Sequence, residues 1–138
     1  MDMHIVPLEA AALYVGVNVL ILTALAINVG RARAKHKVLL GDGGNPDVLR
    51  AMRAHANAAE YVPAGLVGIV TLALLNAAAP YWLLNAAGLT LTIGRIAHGI
   101  GLSVSVVNAG RAIGAMLTIV SFLLIGIGLI YAGLAHQL

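Results

Sequence analysis

The 138-residue chain has no cysteine, five acidic residues, one tryptophan, one phenylalanine and four tyrosines. Without cysteine, neither a disulfide framework nor a protein thiolate site for metal can exist, so any thiol chemistry needs a thiol carried by a ligand. With 4% aromatic residues there is no platform for stacking bases, and nucleic acid is excluded as a partner. The 16 glycines point instead to helices that pack through small residues. Five scattered histidines with no HExxH spacing and no paired carboxylates leave no metal site. Phosphate-loop and Ser–His–Asp signatures, internal repeats and low-complexity tracts are missing too.

Charge is scarce, at 9% of residues against 61% hydrophobic, and the mean hydropathy is +0.97. That balance describes an integral membrane protein forming one compact bundle. Four apolar segments can be marked off, at about residues 7–30, 47–79, 81–107 and 109–135, an up-down all-α bundle of four transmembrane helices. The first lacks the short apolar core and cleavage site of a signal peptide and is expected to remain in the mature chain. Pro63 is expected to weaken or kink the second helix. Gly41 to Gly44 reads as a tight turn, Asn76 to Pro80 as another, and Tyr81 and Trp82 suit the membrane interface.

The basic residues are one-sided. Arg31, Arg33, Lys35 and Lys37 follow the first span, whereas the turn around residues 76–80 and both termini have no Lys or Arg. The 31–46 segment is therefore inside, and both termini are outside. This orientation brings Arg50, Arg53, Glu60, Arg95, His98 and Arg111 toward one leaflet, where charge is costly enough to imply a ligand. At 100° per residue, Arg50, Arg53, Asn57 and Glu60 lie within about 80° of one another. Arg95, His98, Leu102 and Ser105 repeat the spacing on helix 3, and Arg111 opens helix 4 with Asn108 as a plausible N-cap. His55 falls on the opposite face and reads as a packing residue. A Glu60–Arg53 ion pair is the structural alternative for those two residues. Gly65, Gly68, Gly126, Gly128 and Gly133 read as close-packing surfaces.

The run Arg50-Ala-Met-Arg53-Ala-His55-Ala-Asn57-Ala-Ala-Glu60-Tyr61-Val-Pro63, followed by Arg95-Ile-Ala-His98 and Arg111, resembles the MAPEG family, the membrane-associated proteins in eicosanoid and glutathione metabolism. With the preceding GDGG it is most similar to small bacterial members. The resemblance implies a homotrimer in the inner membrane, binding glutathione between protomers toward the cytoplasmic side. It implies that Arg53, Asn57, Glu60, Tyr61, Arg95 and His98 line that site, that Arg31 joins from the neighbour, and that Arg111 is the catalytic group stabilising the thiolate. Arg50, on the same stripe, is included with the binding residues.

Three positions depart from the family's eicosanoid-forming members: Leu102 stands where they usually have tyrosine, Ala112 where one has serine, and Ala56 where some have arginine. The implied activity is thus a glutathione S-transferase or peroxidase acting on lipophilic electrophiles. A small four-helix transporter and a non-catalytic membrane scaffold are the competing readings. Polar residues biased to one leaflet favour the enzyme over a transporter, whose site would sit near the midplane.

Overall fold

A computed structural model describes residues 5–75, 79–105 and 107–135. All regular structure among them is helical: α1 (Ile5–His36), α2 (Pro46–Leu74), α3 (Tyr81–Val104) and α4 (Ala109–Ala135). The four expected helices are present, with shifted ends. Helix α1 continues through the basic stretch expected to follow it and closes in a Schellman turn. There Lys37 adopts a left-handed φ of 55°, Val38 N donates to Arg33 O at 3.0 Å, and Lys37 N donates to Ala34 O at 3.3 Å. Nothing in an Arg/Lys/Ala run forbids helix, so the stop comes only where the chain must turn.

The GDGG turn is confirmed by positive φ at Gly41, Gly43 and Gly44. A Cβ on Gly43 would come within 2.8 Å of the Val38 side chain. Asn45 then caps α2, its Oδ1 accepting from Asp47 N at 2.9 Å and Val48 N at 3.2 Å, with Pro46 in the first turn. Helix α2 runs past Pro63 without interruption. Residues 76–78 of the expected second turn and Val106 of the expected third helix lie outside the described residues. Helix α3 ends at Val104, and Ser105 follows as its extended C-cap. The helix-3 stripe therefore stops at Leu102.

Helices α2 and α3 each pack against the other three, whereas α1 and α4 do not pack on each other among the described residues. By length and composition α1, α2 and α4 qualify as membrane spans. Helix α3 carries the buried Arg95 and His98 on one face and exposes Leu89, Ile93, Ile96 and Ile100 on another. The apolar core includes Tyr14, Ile69, Leu72, Leu84, Leu91 and Ile125, with Phe122 packed against it. Leu13, Leu20, Ile27, Leu123, Ile127 and Ile130 are exposed, as expected of a surface solvated by lipid. Tyr81 and Trp82 are exposed at the start of α3, consistent with the interfacial placement.

Glycines set the helix spacing. Gly65, Gly68 and Gly128 face Leu91, Ile125 and Leu83 respectively, and have no room for a Cβ. Gly126 and Gly133, expected to pack likewise, have nothing within 4 Å in the protomer. The closest crossing, between α3 and α4, is built on Gly94, Gly101, Gly110 and Gly114. A Cβ on Gly114 would meet His98 N and lie 2.6 Å from Gly94 O, backbone against backbone.

Candidate functional site

Because α3 and α4 cross on glycine, their polar residues come within reach of the α2 stripe. Arg50, Arg53 and Asn57 of α2, His98 and Leu102 of α3, and Arg111 of α4 line one cavity of about 230 Å³, with Pro46 and Leu49 at its edge. No carboxylate lines it, so its field favours an anion. Arg53 and Arg111 are exposed, Arg50 and Asn57 half-buried, and His98 and Leu102 buried. His98 makes no side-chain hydrogen bond among the described residues, so an interhelical donor role is not what places it there. Its backbone is fixed by contact with Gly114.

Arg95 lies deeper, 2% exposed. Its Nη1 donates to Asn57 Oδ1 at 2.9 Å, and its Nη2 donates to Thr118 Oγ1. The guanidinium carbon sits 5.5 Å from the Tyr61 ring centroid, and Tyr61 meets Phe122 edge-on at 5.7 Å. Arg95 Nε is buried without a hydrogen-bond partner, and the ion pairs among the described residues do not include Arg95. A buried guanidinium with no counter-charge is expensive. Two hydrogen bonds and the negative face of a ring offset part of that cost. Asn57, Tyr61, Arg95 and Thr118 also border a small cavity of about 60 Å³. Asn57 lines both cavities and joins them.

The start of α4 is stapled to the end of α3. Asn108 Oδ1 accepts from Arg111 N at 2.9 Å, while Asn108 Nδ2 donates to Gly101 O at 2.6 Å and Ser105 O at 2.8 Å. The expected N-cap therefore also sets the position of Arg111.

Other expected residues fall outside the cleft. Glu60 and Tyr61 are exposed on α2, and no ion pair joins Glu60 to Arg53 among the described residues. Arg31 lines a separate cavity of about 320 Å³ with Lys35, His36, Asp47 and Arg50. Within one protomer, Arg50 is therefore what the two cavities share. His55 is half-buried outside both cavities, as its place opposite the stripe predicted. Sequence reasoning missed Thr118, although its seven-residue spacing from Arg111 puts both on one face of α4. It also missed Asp47, three residues before Arg50, whose carboxylate accepts from the Arg50 guanidinium.

The chain is 33% identical over 91 residues to the inner membrane protein YecN of Escherichia coli strain K12, covering 66% of this chain and 68% of that one. The YecN protein of E. coli strain O6:H1 gives the same figures. A sequence model described as "MAPEG family" matches residues 11–131, a range that holds α2 and α3 whole, most of α1 and α4, and every cleft residue named above. The chain belongs to the MAPEG family.

Proposed function

We propose that this protein is a glutathione-binding enzyme of a bacterial inner membrane, a homotrimer acting as a glutathione S-transferase or peroxidase on lipophilic electrophiles. The observation that carries the proposal is the carboxylate-free cavity lined by Arg50, Arg53, Asn57, His98 and Arg111. Glutathione brings two carboxylates, which guanidinium groups bind through paired hydrogen bonds, and one ammonium, which suits the exposed Glu60. The residues present thus fit the ligand's charges.

At about 230 Å³ the cavity is smaller than the roughly 300–1,000 Å³ of ordinary ligand pockets. Arg53, Glu60 and Tyr61, exposed on one side of α2, suit a second wall from a neighbouring protomer, to which Arg31 would belong. When bound, glutathione supplies a thiol whose anion is the nucleophile. A free thiol has a pKa near 8.5 and is only a few per cent anionic at pH 7. Arg111 would favour the thiolate by placing a permanent positive charge beside it. Leu102 leaves the cleft wall apolar for a hydrophobic co-substrate arriving through the bilayer. The cluster lies toward the cytoplasmic leaflet by the charge sidedness of the chain.

The test is a titration of the purified protein with glutathione, following binding by equilibrium dialysis and thiolate by ultraviolet difference absorbance. Wild type is expected to bind and to show thiolate at pH 7, and Arg111→Ala to bind with the signal lost. Absence of glutathione binding to wild type would sink the proposal, and an unchanged signal in Arg111→Ala would remove the role given to Arg111.

A further inference from the structure

The cavity of about 320 Å³ between the end of α1 and the start of α2 shares Arg31 and Arg50 with the glutathione reading, which leaves its Asn28 and Lys35 without a role. We propose that it is a phosphate site that holds the headgroup of an anionic phospholipid.

Its depth comes from helix length. The apolar stretch from Pro7 to Val29 already spans a hydrocarbon core of roughly 30 Å at 1.5 Å per residue. The next two turns of α1, which carry Arg31, Lys35 and His36, therefore stand at headgroup level. Asn28, Arg31 and Lys35 recur at helical spacing and all line the cavity. None of the three has a side-chain hydrogen bond or ion pair among the described residues, so their donors are available.

The opposite wall carries the cavity's one carboxylate, and that group is committed. Asp47 accepts from Arg50, and its Oδ2 lies 3.3 Å from His36 Nε2. Within the protomer and without glutathione, the excess charge is therefore Arg31 and Lys35, a pair of permanent cations facing a cavity whose one carboxylate is already paired. A phosphate satisfies both and accepts hydrogen bonds from Asn28 as well.

Neighbouring exposure favours a lipid as the phosphate's source. Ile27 and Val104 are 50% and 74% exposed, and each adjoins a lining residue, Asn28 in one case and Ser103 in the other. An apolar surface runs out of the cavity to receive acyl chains, which a soluble phosphate would not use.

The experiment uses the purified full-length protein in a neutral detergent, without glutathione, so that its outcome is separate from that of the proposed function. Its thermal midpoint is titrated with dioleoylphosphatidylglycerol, dioleoylphosphatidylcholine or inorganic phosphate. Lys35→Gln is the test variant, since Lys35 has no part in the glutathione cleft. Lys37→Gln is the control, because it removes the same charge two residues away and outside the cavity. Saturable stabilisation by the anionic lipid is expected in wild type, with little from the zwitterionic one. Lys35→Gln is expected to weaken it about fivefold, the effect of one juxtamembrane cation, and Lys37→Gln to leave it nearly unchanged. Equal stabilisation by inorganic phosphate, with the same loss in Lys35→Gln, would keep the phosphate site but give it a soluble source. Equal losses in the two variants, or equal stabilisation by phosphatidylcholine, would overturn the proposal.

Discussion

Replacing Gly114 by alanine tests the close crossing on which the site depends. The added methyl would press on His98 N, 2.6 Å from Gly94 O and 2.7 Å from His98 Cβ. Carbon atoms normally approach to about 3.5–4.0 Å, so the two helices must part by roughly 1 Å at this point. The obstructing atoms are chiefly backbone, and no flexible side chain can swing aside. Overpacking of this kind costs about 1–3 kcal/mol. The displacement also falls between His98 and Arg111, which share one cavity, and a shift of about 1 Å can lower turnover by roughly 100-fold. The assay is unfolding of the purified protein in detergent, paired with measurement of glutathione affinity. Gly126→Ala on the same helix is the comparison, since a Cβ there has nothing within 4 Å in the protomer. If Gly114→Ala unfolds at the wild-type midpoint and binds glutathione as well, the crossing does not hold the site together.

Asn57→Leu removes an acceptor from a buried guanidinium and is expected to destabilise the protein by about 1.5–3 kcal/mol. Wild-type stability in the variant would mean that Arg95 does not depend on that bond. Asn108→Ala should cost about 1 kcal/mol as a lost N-cap and also lower the glutathione thiolate signal through Arg111, with Asn108→Asp keeping the cap but losing both donations to α3. Calorimetric unfolding of the three proteins would reveal whether cap and staple contribute separately. Glutathione affinity should fall as salt rises from 0.15 M to 1 M, because the screening length shortens from about 8 Å to about 3 Å. An affinity indifferent to salt would argue against the exposed arginines as its anchors.

Much of the site was legible because helical spacing is a local property. Arg50, Arg53 and Asn57 share a face at 100° per residue, and one cavity wall indeed carries all three. His98, Leu102 and Arg111 completed it from two other helices, as the one-sided basic residues implied. Ser105 did not, since α3 ended a residue earlier and its cap geometry turned the chain away. Thr118 was missed because a threonine in an apolar helix normally satisfies itself on its own backbone, and its hydroxyl does donate to Gly114 O at 2.9 Å. Only the arrival of Arg95 from α3 makes it an acceptor in the site.

Membrane character, the four helices and the shared face of Arg50, Arg53 and Asn57 were determined by sequence alone. Hydropathy, helix length and period are written residue by residue along the chain and need no partner. Which glycines pack was decided by tertiary structure. Gly94 and Gly114 meet at a crossing, whereas Gly126 and Gly133 face nothing in the protomer, and the residues themselves do not differ. The placement of Arg31 in a different cavity from Arg53, and the isolation of the Arg95 charge against Asn57, Thr118 and Tyr61, were settled in the same way. Packing depends on which faces meet, and that depends on all four helices together.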